Sequence, residues 1–437
     1  MDRAVAAVVR FSRLAMNSGV DRLEAFATSA VRDATNGEEL LAAIHSMTGC
    51  KVEVLDGQKE ALLSANALQR GLHVDDGVIA DLGGGSLELA ALRHGKVREM
   101  VSLPLGTMRL QARLSGDMTK MTKEISAALD DVDWLQKYAG KTLFPIGGAW
   151  RAFARLKIKD SDYPLDIIHG YTTPVDTVLE TATLLTGLSK RSLMGLESVV
   201  RQRRLSMPLT GLLLEQLIGR TKPATVTFSA VGVREGYVYG QMAADQVAED
   251  PLIAAATAFS EREGRFRGTA EPLLEWLSPV LSAENRRRRR LQFAVCALSD
   301  IAWRDHPDYR ASFAFDRTLE YPFFGIDHTE RAFIALAVYI RYGGKTSDAR
   351  VTHIGSLLSK RAIRRAETLG SGLRLAYRIS AGNPELLEHA RLHIKNNQLS
   401  LVLPGGGAAP TRDRVKRSFE RLCQARKIKM GSITEAR

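Results

Sequence analysis

Gly83, Gly84, Gly85 and Ser86 form an unbroken run of small residues between two carboxylates, Asp81 and Glu88. Bare backbone of this kind suits an anion, because side chains would block its approach to the amide N–H groups. The flanks narrow the kind of site. A P-loop needs Lys-Ser/Thr and then a helix, and a dinucleotide fingerprint needs GxGxxG leading into a helix; here Leu87 opens a strand. What remains is a strand–turn–strand hairpin whose amides face a phosphate. Asp81 and Glu88 lie seven residues apart across the turn and could share its mouth, where they would hold a magnesium ion, usually through water. Taken alone, the same residues also suit an ordinary tight hairpin with two solvated acids.

The neighbouring pattern predicts the elements that position them. Alternation and turn residues give strands at 77–82, 87–92 and 97–105, a β-meander with the glycine turn at its first corner. Upstream, strands are expected at 22–28 and 51–55, a helix at 56–72, and a helix capped by Asn36 and stopped by Gly49. Downstream come a strand at 142–148, a helix from Ala149 and a strand near 225. Beyond Asp250–Pro251 the pattern is helical to about 390, followed by a hairpin at 390–403, a flexible 404–410 and a basic helix.

A length of 437 residues exceeds one ordinary core, and 45% hydrophobic with 25% charged residues marks a soluble globular protein. Cys50, Cys296 and Cys423 form no CxxC pair, which argues against a disulfide framework or zinc site and fits a reducing compartment. Arg3, Arg10 and Arg13 interrupt the apolar N-terminus, giving an amphipathic helix and not a signal peptide. The apolar run at 333–340 is too short to span a bilayer, so a cytoplasmic protein with no membrane partner is expected. The net charge of +12 is concentrated: residues 361–437 hold 16 Lys/Arg against 6 Asp/Glu, and Arg286 to Arg290 are consecutive. Such blocks attract polyanions or are merely solvated. No aromatic-interleaved basic motif supports nucleic acid as the partner.

Six segments, at 27–37, 52–63, 78–90, 102–110, 146–156 and 228–236, occur in the order seen in exopolyphosphatase/guanosine pentaphosphate phosphatases, and the chain resembles that family. More loosely, 300–310 and 325–341 resemble the helical C-terminal domain of alphaproteobacterial exopolyphosphatases. The resemblance implies a sugar kinase–actin-like (ribonuclease H-like) α/β fold with two lobes, here 1–76 and 77–245, and an all-helical, HD-like, basic domain at 251–437. It implies hydrolytic release of a terminal phosphate from a phosphoanhydride chain: inorganic polyphosphate or, with the same motifs, guanosine pentaphosphate. By the same likeness Glu60 would deliver the attacking water, Asp81 and Glu88 would hold Mg2+, and Gly83, Gly84, Gly85 and Ser86 would bind phosphate. Arg32 would grip phosphate oxygens or bridge to Asp33 or Glu38, Gly147 and Gly148 would line the cleft, and relatives suggest a homodimer.

The chain departs from the family in one large respect. The family opens with a first phosphate loop reading like DxGSNS, and no such motif occurs in residues 1–437. The expectation is a truncated first lobe with two sheet strands, an unpaired edge and an uncovered apolar helix face. Either the start is assigned late or the copy is catalytically impaired and only binds polyphosphate or an alarmone. In the C-terminal domain Ser299–Asp300 replaces an HD pair, while His306, Asp327 and His328 look like helix-boundary residues. The arginines of 286–290, spread around a helix, would partly line a basic channel and partly be solvated.

Overall fold

The computed structural model describes residues 1–114, 117–281, 285–403 and 412–435, so the 404–410 link lies outside the described residues. The chain divides into two compact units, Met1–Ala243 and Ala244–Arg437.

In the first unit β1 (Ala25–Ala27) and β2 (Val52–Val54) form a two-stranded parallel sheet. The Asp2–Asn17 helix packs on the Gly37–Thr48 helix, buries none of its residues and leaves Phe11, Leu14 and Met16 exposed. The main sheet contains β3 (Gly77–Leu82), β4 (Leu87–Arg93), β5 (Lys96–Leu103), β6 (Thr142–Ile146), β7 (Tyr171–Pro174) and β8 (Thr225–Phe228), in the order β5-β4-β3-β6-β8-β7. The meander supplies one antiparallel side, and β6 and β8 continue it in parallel. Every residue of β3 is buried, as befits a strand covered on both faces and paired on both edges. Trp150, Phe153 and Phe228 fill the core; the indole N–H of Trp150 donates to the Thr210 carbonyl at 3.2 Å, satisfying its polar end.

The Gly57–Leu72 helix packs on β4 and β5. Asp56 caps it, its carboxylate accepting from the Lys59 N–H at 2.7 Å. A buried stripe of Ala61, Ser64, Ala65 and Leu68 faces the sheet, and Glu60 lies in the same stripe. Strand β7 was not expected from the sequence: it is a four-residue edge strand ending in proline, too short to show alternation.

The second unit is mostly helical and closes with a three-stranded sheet. β9 (Arg391–Lys395) and β10 (Gln398–Leu403) form the anticipated hairpin, turning through Asn396 and Asn397, both with positive φ. β11 (Lys429–Glu435) then pairs parallel to β10, a strand the sequence reading missed because the basic Arg412–Arg426 helix dominates that region. Among the described residues no helix is long and apolar enough to cross a membrane.

Three arginines of the run are engaged by carboxylates within the unit and are not simply solvated. Arg287 binds Asp327 and Glu330, Arg289 binds Glu271, and Arg290 grips Asp250 at 2.6 and 3.1 Å while donating to the Gly325 carbonyl at 2.7 Å. These three brace the unit internally, and Arg287 also lines a cavity together with Arg288. Arg290 is only 8% exposed. Arg290→Ala should therefore destabilise by about 3–5 kcal/mol, since it strands Asp250. Arg289→Ala, whose pair is open to water, should cost no more than about 1 kcal/mol. Urea titration of both variants checks the contrast.

The Ser299–Asp300 position is likewise occupied. Asp300 accepts two bonds from the Arg265 guanidinium, both at 2.8 Å, and a third from the Arg265 backbone N–H at 3.3 Å, and sits 3.5 Å from Arg341, so guanidinium groups neutralise it. Asp327 caps the His328–Tyr342 helix, and His306 contacts Tyr309.

Candidate active site

The β3–β4 register places Asp81 directly opposite Glu88 and Leu82 opposite Leu87. Paired residues of an antiparallel ladder project to the same face, so the two carboxylates share one side of the hairpin at its glycine end. Like charges opposed in this way repel, and both are buried, Glu88 to 3% exposure. Burial pushes the Glu88 carboxyl up to about 8, with Glu60 and Asp81 adding to the rise and hydroxyls of Ser86 and Ser102 opposing it. Burial also raises Asp81, against the hydrogen bond from Ser64.

Hydroxyls make the hydrogen bonds that side chains give this pair. Ser64 Oγ donates to Asp81 at 2.5 Å and Ser102 Oγ to Glu88 at 3.0 Å. Ser64 stands four residues after Glu60, so one face of the Gly57–Leu72 helix presents both. Gly57 opens that helix against Ser102: a Cβ on Gly57 would lie 2.3 Å from the Ser102 Cβ. The helix thus brings Glu60 beside the Asp81–Glu88 pair, although the rest of the helix and a short link separate it from β3 in sequence.

Glu60 is 5% exposed and held by Arg32, whose Nη1 donates to Oε1 at 2.7 Å and to the Leu55 carbonyl. Burial raises the Glu60 carboxyl, the Arg32 bond lowers it, and Asp81 and Asp33 add to the rise; the net direction is upward. Arg32 also lies 3.6 Å from Asp33. Its main partner is therefore Glu60, which neither sequence-based alternative named, and Glu38 is not involved.

The turn itself differs from expectation at one amide. Gly83 N–H donates to the Ser86 carbonyl at 3.0 Å, closing the turn, so it is not available to a ligand. Among the described residues no backbone carbonyl accepts from Gly84, Gly85 or Ser86. The Gly84 carbonyl accepts from Met108 and Arg109 N–H, and that of Gly83 from Thr107, pinning the turn to the start of the Thr107–Leu114 helix. Gly85 has no room for a side chain, since its Cβ would meet Ser29 Oγ at 2.6 Å.

Gly147 and Gly148 adjoin the same corner. Gly147, at φ +97, lies against the Leu82 carbonyl and Asp81 Oδ1, and the Arg203 guanidinium packs over Gly148. Arg151 donates to the Ala230 carbonyl at 2.9 Å; burial lowers its pKa, helped by Arg234 and Arg203, while Asp81 opposes. The sequence reading gave no role to Ser64, Gly106, Arg109, Arg151 or Arg203. Gly106 touches the turn most closely, and Arg109 pairs with Asp33 next to Arg32. Gly106, Arg109 and Arg151 lie in segments already marked as motifs, which was the available signal; Ser64 and Arg203 lie outside them and gave none.

Asp81 and Glu88 form a donor set that fits a hard divalent cation: two opposed, buried carboxylates with no basic side chain hydrogen-bonded to either. Among the described residues no group of three or more His, Cys, Asp or Glu could hold a metal. Two carboxylates suffice for magnesium when substrate phosphates and water complete its shell.

Comparison with known proteins gives a consistent set of matches. The profile described as "Ppx/GppA phosphatase family" matches residues 1–245, and "Exopolyphosphatase, C-terminal" matches 252–430. Retrograde regulation protein 2 of Saccharomyces cerevisiae is 27% identical over 384 residues, covering 79% of this chain and 63% of that protein. Exopolyphosphatase 1 of Mycobacterium tuberculosis is 39% identical over 111 residues, covering 25% of this chain and 32% of its own length. The chain thus spans less than two thirds of either relative. A crystal structure of an exopolyphosphatase from Cytophaga hutchinsonii superposes with a TM-score of 0.51 at 21% identity, covering 55% of this chain and 80% of that one. The two share an actin-like fold.

Proposed function

This chain belongs to the Ppx/GppA phosphatase family, and from that premise we propose that it hydrolyses the terminal phosphoanhydride bond of inorganic polyphosphate. The observation that carries the reading is the convergence of Glu60 on the Asp81–Glu88 pair at an amide-lined turn.

The amides of Gly84, Gly85 and Ser86 bind oxygens of the terminal phosphoryl group. Asp81 and Glu88 would hold a magnesium ion, which supplies positive charge against those oxygens. Glu60, fixed by Arg32, accepts the proton of a water as its oxygen attacks phosphorus. The bridging P–O bond breaks, its electron pair stays with the shortened chain, and orthophosphate leaves. Burial raises the Glu60 carboxyl, which makes it a stronger base. Arg32 serves here as the positioning residue for Glu60.

Guanosine pentaphosphate carries the same terminal bond and could use the same residues. The C-terminal profile match leans toward polyphosphate. The test is orthophosphate release from each substrate by the full chain, with magnesium and with chelator. Release from polyphosphate that requires magnesium is expected; retention of the polymer without release would make the chain a binder. Asp81→Ala should lower magnesium-dependent release by at least about a hundredfold, comparable to removing one strong transition-state contact. Equal rates for variant and parent would remove Asp81 from the site.

A further inference from the structure

The helical unit carries an open cleft of about 660 Å3 built wholly from residues between Val280 and Lys427. That volume falls among sites for small molecules, roughly 300–1,000 Å3. Its wall has two chemistries. Phe333 and Leu369 give an apolar floor. Arg361 and Arg364, one turn apart on the Lys360–Ser380 helix, line it together with Arg426 and Lys427. The two acids in the wall, Asp327 and Glu330, are both taken by Arg287, at 2.8 and 2.6 Å. Among the described residues no carboxylate pairs with Arg361, Arg364, Arg426 or Lys427. Guanidinium groups clustered without acids make a strong seat for phosphate oxygens.

Gln292 is an independent sign. It lines the cavity, is 8% exposed, and among the described residues its carboxamide has no hydrogen-bond partner. Its polar atoms are not among the fully enclosed ones left without a partner, so they face the cavity and are open to what enters it. A carboxamide offers a donor beside an acceptor, which matches the edge of a nitrogen heterocycle and has nothing to read on a bare phosphate chain. We propose that this cavity binds a nucleotide-sized phosphorylated small molecule. Its phosphates lie against Arg361, Arg364, Arg426 and Lys427, and its ring rests on Phe333 within reach of Gln292. Hydrolysis at the glycine turn is not required for this binding.

The test is equilibrium binding of ATP and GTP, and separately of inorganic tripolyphosphate, to the full chain at fixed ionic strength. Arg361 and Arg364 are exposed, so Arg361→Ala/Arg364→Ala leaves the packing intact; Gln292→Leu is nearly volume-conserving. Thermal melting confirms that both variants fold. At least one nucleotide should bind saturably below about millimolar concentration, and the arginine pair should weaken it about tenfold or more. Gln292→Leu should weaken the nucleotide and leave tripolyphosphate unchanged. Three results would overturn the site: no saturable nucleotide binding, nucleotide binding indifferent to Arg361 and Arg364, or tripolyphosphate binding as tightly as the nucleotides with no effect of Gln292.

Discussion

Glu60→Gln should cut orthophosphate release by about 10²–10⁴-fold, the range a positioned base contributes, while polymer binding changes little. The two side chains have nearly the same shape, so the variant tests charge and proton acceptance and not packing. Arg32 can still donate to a glutamine Oε1 and keeps its bond to the Leu55 carbonyl, which holds the segment in place. The buried carboxylate also carries a desolvation cost that an amide avoids, offsetting the lost pair with Arg32. Folding stability should therefore move by about 1–2 kcal/mol, the difference between a charge-assisted and a neutral hydrogen bond. A drop in kcat with KM unchanged is the expected signature, because the lost interaction exists only in the transition state. Release at the parental rate would remove Glu60 from the reaction and with it the proposed role of Arg32.

What the sequence makes legible here is local. The hairpin at Asp81–Glu88 announces itself because a glycine turn separates two short apolar runs, and the register that opposes the two acids follows from the turn length. The Gly57–Leu72 helix follows from Asp56 and a 3.6-residue stripe. Its docking is not local. Residue types alone leave Glu60 an unremarked helix residue, and only likeness to a family marks it out. Ser64 reads as an ordinary mid-helix serine until the packing on β4 and β5 turns it toward Asp81. The pairing of Arg287, Arg289 and Arg290 is hidden for the same reason: their carboxylate partners lie 18 to 43 residues away, so composition shows a basic block where tertiary structure builds braces. Arg32 combines both cases. Its nearest acid in sequence, Asp33, is the weaker contact, and the stronger one is 28 residues off.

The clearest structural test falls on a residue with no functional group. A Cβ on Gly106 would lie 2.2 Å from the Gly85 carbonyl carbon, 2.3 Å from the Ser86 nitrogen and 2.4 Å from the Gly84 carbonyl carbon. All three are backbone atoms of the amide-lined turn, so no flexible side chain can swing aside. Gly106→Ala must push the turn or the Thr107–Leu114 helix away, and the carbonyls of Gly83 and Gly84 tie those two together. Overpacking of this kind costs about 1–3 kcal/mol of stability. Displacing one oxyanion donor costs about 10²–10³ in rate, and the displaced amides of Gly85 and Ser86 are two of the proposed donors. The activity loss should therefore exceed what the modest destabilisation explains, and should persist at low temperature where the variant is fully folded. Gly219→Ala is the matched control: nothing lies within 4 Å of its Cβ, and it sits in the Met207–Thr221 helix. There alanine should stabilise by up to about 1 kcal/mol and leave phosphate release untouched. If Gly106→Ala behaves as that control does, the turn is not held by this contact, and the anion seat must be formed elsewhere.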